Sequence, residues 1–548
     1  MKKICNLLIC LFISSIFLVS CNDMLGVDSQ RLLTQQEFGH SPNDVLYSTF
    51  GVLSQMQKLG DSYVLLGEMR GDLMNTTATS DISLNEINNF TISGTNSYVN
   101  IKDYYAVINN CNYILQNLDS TVVVNGEKLQ LGQMAAIKSI RAWTYMQIAL
   151  NFKTAKYYDK AILTVADSQK KYPEFDINQL ADVLIADLIP IKDVQFQDLG
   201  YIGSYNTSNS YFPISLLLGD LYLWKGEYEK SANEYHDFMY KFGIVISGGN
   251  SSAWLVTNKT ITNTATLNWM TSFTPFTSEI QTIITCPTQY GQKFALDSLN
   301  YQHKIAPSTQ ALSNWDNQTY FLNDASNTQG DLRKYGSISW GSNVTANTSI
   351  STIFNINDVT SNPSIILKYK IYNQNVVVYR NSLLYLRYAE AVNRLNKPNL
   401  AFAVLKYVLN STNMYNAKII PANERDASAD YMNFSDPKFN NNVGIRMRGL
   451  GACDKDTTFY TFHKQDTMND SVLYVEDLIQ KELALETAFE GNRFQDLMRI
   501  TLRRIKNGEG DASYLANPIS AKHVGNESAI YTLLMNTDNW YIKTQAPF

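Results

Sequence analysis

The chain predicts a mostly α-helical fold in which tetratricopeptide-like helical hairpins form a scaffold and long loop-rich insertions interrupt it. Three observations carry this. Apolar residues recur at three- and four-residue steps in several separate segments, which lines one face of a helix. One segment reproduces the L-G-x-x-Y step of a tetratricopeptide repeat. Stretches rich in Ser, Thr and Asn separate the periodic segments, so the hairpins do not form one tandem array.

The N-terminal residues read as a leader. Lys2 and Lys3 precede an apolar stretch from Ile4 to Val19, which ends in Leu18-Val19-Ser20-Cys21. That tetrapeptide has the form of a bacterial lipobox, in which cleavage leaves a lipid-modified Cys21 as the new N-terminus. As an uncleaved anchor the run is short against the roughly 20 apolar residues a span requires, and Asn6, Ser14 and Ser15 interrupt it. Residues 1–20 are therefore expected to be a lipoprotein signal peptide and residues 21–548 a single domain tethered through Cys21. One acyl chain binds a membrane only marginally, so multiple acylation of Cys21 would make the attachment permanent.

Next, Tyr104, Val107, Ile108, Cys111, Ile114, Leu115 and Leu118 place an apolar stripe on a helix from Asp103 to Leu118. Gln133 to Phe152 repeats the pattern through Ile137, Ile140, Tyr145, Ile148 and Phe152. A third helix begins near Pro213, a residue suited to a first helical turn. It carries Leu218-Gly219-Asp220-Leu221-Tyr222, and Gly226, Tyr228, Ser231 and Tyr235 fall where a tetratricopeptide repeat turns and packs its second helix; Ser231 stands where alanine is usual. From Ser382 to Asn410 a further hairpin is expected. Leu386, Ala389 and Ala391 allow close approach, and Lys397-Pro398 breaks the chain before Leu400, Val404, Leu405 and Val408. The last strong helix runs from Val475 through Leu485 and resumes after Glu490-Gly491-Asn492 with Phe494, Leu497 and Met498.

Two insertions are expected. Residues 241–365 lose helical periodicity yet hold Trp254, Trp269, Trp315 and Trp340, four of the seven tryptophans. Residues 60–100 hold Arg70, Asp72, Asn75 and a polar run before the first periodic helix. Polar loops of this length are uncommon unless functional or disordered, and the aromatic content argues against disorder.

Composition excludes several classes. The formal charge is −5, and −7 once Lys2 and Lys3 leave with the leader, so no basic field is available for nucleic acid. After the leader and Cys21, only Cys111, Cys286 and Cys453 remain, which is no disulfide framework, and Cys111 lies on a helical apolar stripe. His40, His236, His303, His463 and His523 are scattered without ligand spacing, so neither a metal site nor a cofactor is signalled. No P-loop, G-x-S-x-G or dinucleotide fingerprint is present, and Gly444 to Gly451 reads as a turn. With 50 acidic residues, spacing alone identifies no glycosidase pair.

The positive signal is aromatic. Sugar rings pack C–H faces on flat aromatic rings while Asn, Asp and Arg read the hydroxyls, and residues 241–365 offer that mixture. Each tryptophan taken singly is more often a packed residue than a stacking platform. Trp269, Trp315, Tyr320 and Trp340 are nevertheless the candidates for a stacking surface.

Several of these segments together resemble one family. The lipobox followed by Met24-Leu25-Gly26-Val27-Asp28, Ile108-Asn109-Asn110-Cys111-Asn112, Ser139-Ile140-Arg141-Ala142-Trp143 and Leu386-Arg387-Tyr388-Ala389-Glu390-Ala391 are similar to segments of the SusD/RagB lipoproteins of Bacteroidetes. The C-terminal run resembles that family's E-L-A-x-E-x-x-F-E-G-x-R-x-x-D-L-x-R signature through Glu482, Leu483, Ala484, Glu486, Phe489, Glu490, Gly491, Arg493, Asp496, Leu497 and Arg499. The resemblance implies an outer-membrane, cell-surface lipoprotein that caps a SusC-like TonB-dependent transporter. It further implies capture of an oligosaccharide, or in the RagB branch a peptide, by binding and not catalysis. Gly67-Glu68-Met69-Arg70-Gly71-Asp72 resembles a loop that many members place near the binding surface, which makes Arg70, Asp72 and Asn75 candidates.

Two other functions compete. A structural tetratricopeptide lipoprotein of outer-membrane assembly would carry repeats nearly end to end, whereas more than 100 residues of insertion separate the hairpins here. A lipid-anchored glycoside hydrolase would cleave a glycan offered to the pure protein.

Overall fold

The computed structural model describes residues 42–543 apart from 122, 124–125, 127, 203–204, 247–277, 287–292, 323–325, 332, 341–362, 367, 370–374, 408 and 450–455. Cys21, Trp254 and Trp269 lie outside the described residues. Contacts divide the chain after Ser48 into two compact units, Met1–Ser48 and Thr49–Phe548, and the elements that build the scaffold lie in the second.

Helices dominate. α1 spans Pro42–Glu68, α2 Ile101–Asn117, α3 Leu129–Phe152 and α4 Ile177–Leu188, and α3 packs against both α2 and α4. Asn100 caps α2 by accepting the Lys102 N–H, and Asp176 forms a capping box with Gln179 on α4. Cys111 is buried on α2, as its place on the stripe requires.

α5 (Ile214–Lys225) and α6 (Tyr228–Phe242) form the expected hairpin. Gly226 ends α5 at φ +79°, a left-handed conformation that glycine adopts without a steric penalty. Gly219 marks the closest approach, since a Cβ there would lie 2.5 Å from Tyr235 Cε1. Ser231 differs from the usual alanine because its Oγ donates to the Gly219 carbonyl at 2.8 Å.

Residues 60–100 are not a loop insertion. α1 continues through Glu68, strand β1 (Met74–Thr76) follows, and a short helix spans Ile82–Asn88. Val52, Met56, Leu59, Tyr63 and Leu66 bury one face of α1, and Gly51 and Gly60 blur its helical signal. Residues 241–365 likewise contain structure: β2 (Ile280–Thr285), a helix Ala295–Tyr301, β3 (Ile305–Pro307), α7 (Thr309–Asp316), and the paired strands β4 (Thr319–Leu322) and β5 (Ser326–Gln329). β1 pairs antiparallel with β3, Met74 opposite Pro307, and β2 pairs antiparallel with β6 (Asn375–Arg380). Such short pairs come from distant segments and leave little local periodicity to read.

α8 (Asn381–Arg394) and α9 (Pro398–Lys406) form the second expected hairpin, broken at Lys397-Pro398. α10 (Met468–Glu486), α11 (Arg493–Asn507), α12 (Ser513–Ala521) and α13 (Glu527–Leu534) complete the scaffold. No helix among the described residues is long and apolar enough to cross a membrane.

The C-terminal signature is buried and ionic. Glu486 accepts hydrogen bonds from Arg333 (2.8 Å), Arg380 (2.9 Å) and Arg448 (3.0 Å). Burial alone would raise its carboxyl, but these guanidinium groups hold it well below the usual range. Glu490 accepts from Arg380 Nε at 2.6 Å and Lys368 Nζ at 2.5 Å, and Glu279 pairs with Arg448 at 2.7 Å. Arg446 and Arg448, in the segment read as a simple turn, belong to a 3-10 helix Ile445–Arg448 that feeds these pairs. The turn after α10 also clasps the end of α1. Glu68 accepts the backbone N–H groups of Phe489 (3.0 Å) and Gly491 (2.8 Å). A Cβ on Gly67 would lie 1.9 Å from the Gly491 carbonyl oxygen, so the clasp requires glycine.

Candidate ligand groove

A groove of about 620 Å³ opens between α7, α10, α12 and the segment around Phe459. Its floor is organised by Arg446. The guanidinium lies between two rings, 4.0 Å from the Tyr460 centroid and 4.4 Å from that of Tyr320. Its Nη1 donates to Gln318 Oε1 at 3.0 Å and its Nη2 to the Thr319 carbonyl at 3.2 Å, with Glu482 at 3.7 Å. Glu482 also pairs with Arg333 at 2.6 Å. Burial pushes its carboxyl up despite these two arginines.

The walls are polar with one open aromatic face. Phe459 is 40% exposed, whereas the Tyr460 ring is stacked on Phe402 with centroids 5.2 Å apart. Ser313, Asn317, Gln318 and Lys481 line the groove and offer donors and acceptors to hydroxyl groups. The groove's other carboxylate, Asp477, is held by Arg504 at 2.6 Å and by the Tyr514 hydroxyl at 2.9 Å. Both acids therefore serve as structural partners, and no histidine or cysteine lines the groove. The arrangement suits recognition of a polyhydroxylated ring.

The residues singled out in the sequence lie mostly elsewhere. Trp315 is fully buried on α7, its indole N–H donating to the Leu485 carbonyl at 3.2 Å, so it has no ring face to offer. Tyr320 is buried beneath Arg446, its hydroxyl donating to Asp331 at 2.5 Å. Asp72 is buried in a two-point ion pair with Arg493, at 2.5 and 2.9 Å. Asn75 ties β1 to its surroundings: its amide donates to the Lys522 carbonyl at 3.0 Å and its oxygen accepts from Asn88 at 3.0 Å. Arg70 is 1% exposed and lines a separate cavity. Trp340 ends a strand Ile338–Trp340 paired with Pro363–Ile366, and Trp269 and Cys21 are outside the described residues.

Phe459, Asn317, Gln318 and Lys481 were missed because the groove joins segments far apart in the chain. The adjacent Phe459-Tyr460 pair in a polar stretch was the available signal. Among the described residues no cluster of His, Cys, Asp or Glu could hold a metal ion.

Comparison with known proteins agrees with this architecture. The SusD family model matches residues 222–542. A SusD-like protein P25 of Formosa agariphila is 26% identical over 201 residues, covering 34% of this chain and 37% of that protein, so the match spans little more than a third of the relative's length. A SusD superfamily protein of Bacteroides vulgatus superposes with TM-score 0.53 at 17% identity over 87% of this chain and 92% of its own. One from Bacteroides thetaiotaomicron gives 0.55 at 14% over 87% and 93%. A SusD-like carbohydrate-binding protein of Bacteroides fragilis gives 0.54 at 14% over 85% and 87%. At such identities the structural likeness shows the fold, while the family model covers more than half of the chain. The chain belongs to the SusD family.

Proposed function

We propose that this protein is a surface-exposed outer-membrane lipoprotein, anchored through Cys21, that captures an oligosaccharide and delivers it to a SusC-like TonB-dependent transporter. The observation that carries the ligand assignment is the groove in which the open Phe459 ring is flanked by Asn317, Gln318 and Lys481. Family membership and the carbohydrate-binding description of the Bacteroides fragilis neighbour support it. The protein acts by binding, since both groove carboxylates are committed to arginine partners.

Isothermal titration of the purified full-length lipoprotein against host and plant oligosaccharides tests this. Phe459→Ala is expected to weaken the cognate glycan by about 1–2 kcal/mol, roughly tenfold, as loss of a stacking aromatic does. Trp315→Phe, which alters a buried ring, leaves affinity unchanged. Wild-type affinity in folded Phe459→Ala places the site elsewhere, and binding of peptide mixtures but no glycan replaces the ligand class with peptides.

A further inference from the structure

Arg70 differs electrostatically from every other buried arginine among the described residues. Each of the others has a carboxylate within 3.7 Å. The Arg70 guanidinium has oxygen partners that carry only partial charge: Nε donates to the Leu66 carbonyl at 3.0 Å, Nη1 to the Trp540 carbonyl at 3.0 Å, and Nη2 to Asn151 Oδ1. The Phe494 ring covers it at 4.3 Å. A cation buried without a counter-ion is costly, and here burial pulls the pKa down to about 9, whereas the carboxylate-paired Arg493, Arg499 and Arg503 are raised.

Arg70 also lines a cavity of about 240 Å³, far larger than one water needs and close to the lower end of small-ligand pockets at roughly 300 Å³. Its walls include the half-buried rings of Phe90 and Tyr541, with Thr91 and Asn539 as polar neighbours and the exposed Lys543 as a second cation. Phe90, at φ +60°, is the left-handed residue that closes the helix Ile82–Asn88, with the Thr91 N–H donating to the Glu86 carbonyl at 2.9 Å, and this cap fixes its ring at the cavity wall.

We propose that this cavity is a second binding site, separate from the groove, that takes one uronic-acid sugar with its carboxylate directed at Arg70 and Lys543. The carboxylate supplies the missing counter-ion, and the Phe90 and Tyr541 rings accept the apolar face of the sugar. Arg70 and Lys543 call for an anion whatever carries it; the choice of a sugar as the carrier of the carboxylate rests on the oligosaccharide-capture reading.

Titrations of the full-length protein with sodium glucuronate, glucose, sodium sulfate and an N-acetylated dipeptide test the assignment, with a neutral oligosaccharide panel in parallel. Glucuronate is expected to bind more tightly than glucose and to weaken with added salt. Arg70→Met, checked for folding by circular dichroism, should lose glucuronate affinity by about tenfold or more, as expected when a hydrogen-bonded charge is removed. Lys543→Ala, an exposed substitution that leaves the core intact, should lose about threefold and flatten the salt dependence. If Arg70→Met fails to fold, Lys543→Ala decides. Glucuronate binding no tighter than glucose, or unchanged in Lys543→Ala, overturns the proposal. Preference for sulfate or the dipeptide overturns its ligand class. Neutral glycans that still bind when glucuronate does not refute only this site, whereas glucuronate binding without any neutral glycan refutes the groove.

Discussion

Gly219→Ala sets two opposing effects against each other. In the middle of an exposed helix this change would stabilise by about 1 kcal/mol, because alanine is the better helix former. At Gly219 the new methyl would lie 2.5, 2.7 and 2.8 Å from three atoms of the Tyr235 ring, against the 3.5–4.0 Å at which carbon atoms pack. The ring cannot simply turn away. Its hydroxyl donates to Asp220 Oδ1 at 2.5 Å, and Asp220 also pairs with Arg387 at 2.6 Å. Overpacking costs about 1–3 kcal/mol, and displacing a buried hydrogen bond to a charged group about 1.5–3 kcal/mol more. After the propensity gain is subtracted, the net loss is about 1.5–5 kcal/mol. Urea unfolding followed by circular dichroism should show a lower midpoint at unchanged slope. A double-mutant cycle isolates the cause, because in a Tyr235→Ala background Gly219→Ala should become neutral or stabilising. A single variant as stable as wild type would refute the close approach on which the repeat assignment depends.

Glu390 predicts a pH dependence. Burial would raise its carboxyl, but Arg499 and Arg503 outweigh burial and bring it from 4.5 down to about 2. A carboxyl depressed on folding stabilises above its unfolded pKa and loses that contribution as pH falls through the folded value, so the window here lies between 4.5 and about 2. The stability gap between wild type and Glu390→Gln should be about 3 kcal/mol at pH 7 and shrink across that window; a gap independent of pH would contradict the pairing. Cys21→Ala should move the protein from the outer-membrane fraction to the soluble fraction after a salt wash, and persistent co-sedimentation would count against the lipid anchor.

The helical hairpins were legible because their signals are local. The Leu218 to Tyr222 step, the Lys397-Pro398 break and the stripe from Tyr104 to Leu118 each specify an element within a few residues of themselves. Gly51 and Gly60 mask the helical signal of α1, and the β2–β6 pair leaves no local signal because its two short segments, Ile280–Thr285 and Asn375–Arg380, meet only in space. Trp315 and Tyr320 show the limit of composition: an aromatic in a polar stretch suits a stacking platform and a packed core residue equally, and burial decides. Arg70 was singled out by resemblance, yet its unusual property, the absence of a carboxylate partner, depends on distant residues such as Asn151 and Trp540 that only the tertiary arrangement brings to it.

The clasp on Glu68 ties an early segment of the chain to a late one. Glu68 and Asp72 take their partners from residues 421 to 425 positions further along, at Phe489, Gly491 and Arg493. During synthesis the end of α1 and the turn after it therefore carry two carboxylates whose burial partners are made only when almost nine-tenths of the polypeptide has emerged. The Glu68 carboxyl, pushed up by burial to about 7 even with its backbone donors in place, would be costlier to bury without them. A polypeptide cut short before Phe489 would lack every one of these donors to Glu68 and Asp72, so the seam between the early and late segments is a contact that only the nearly finished chain can make.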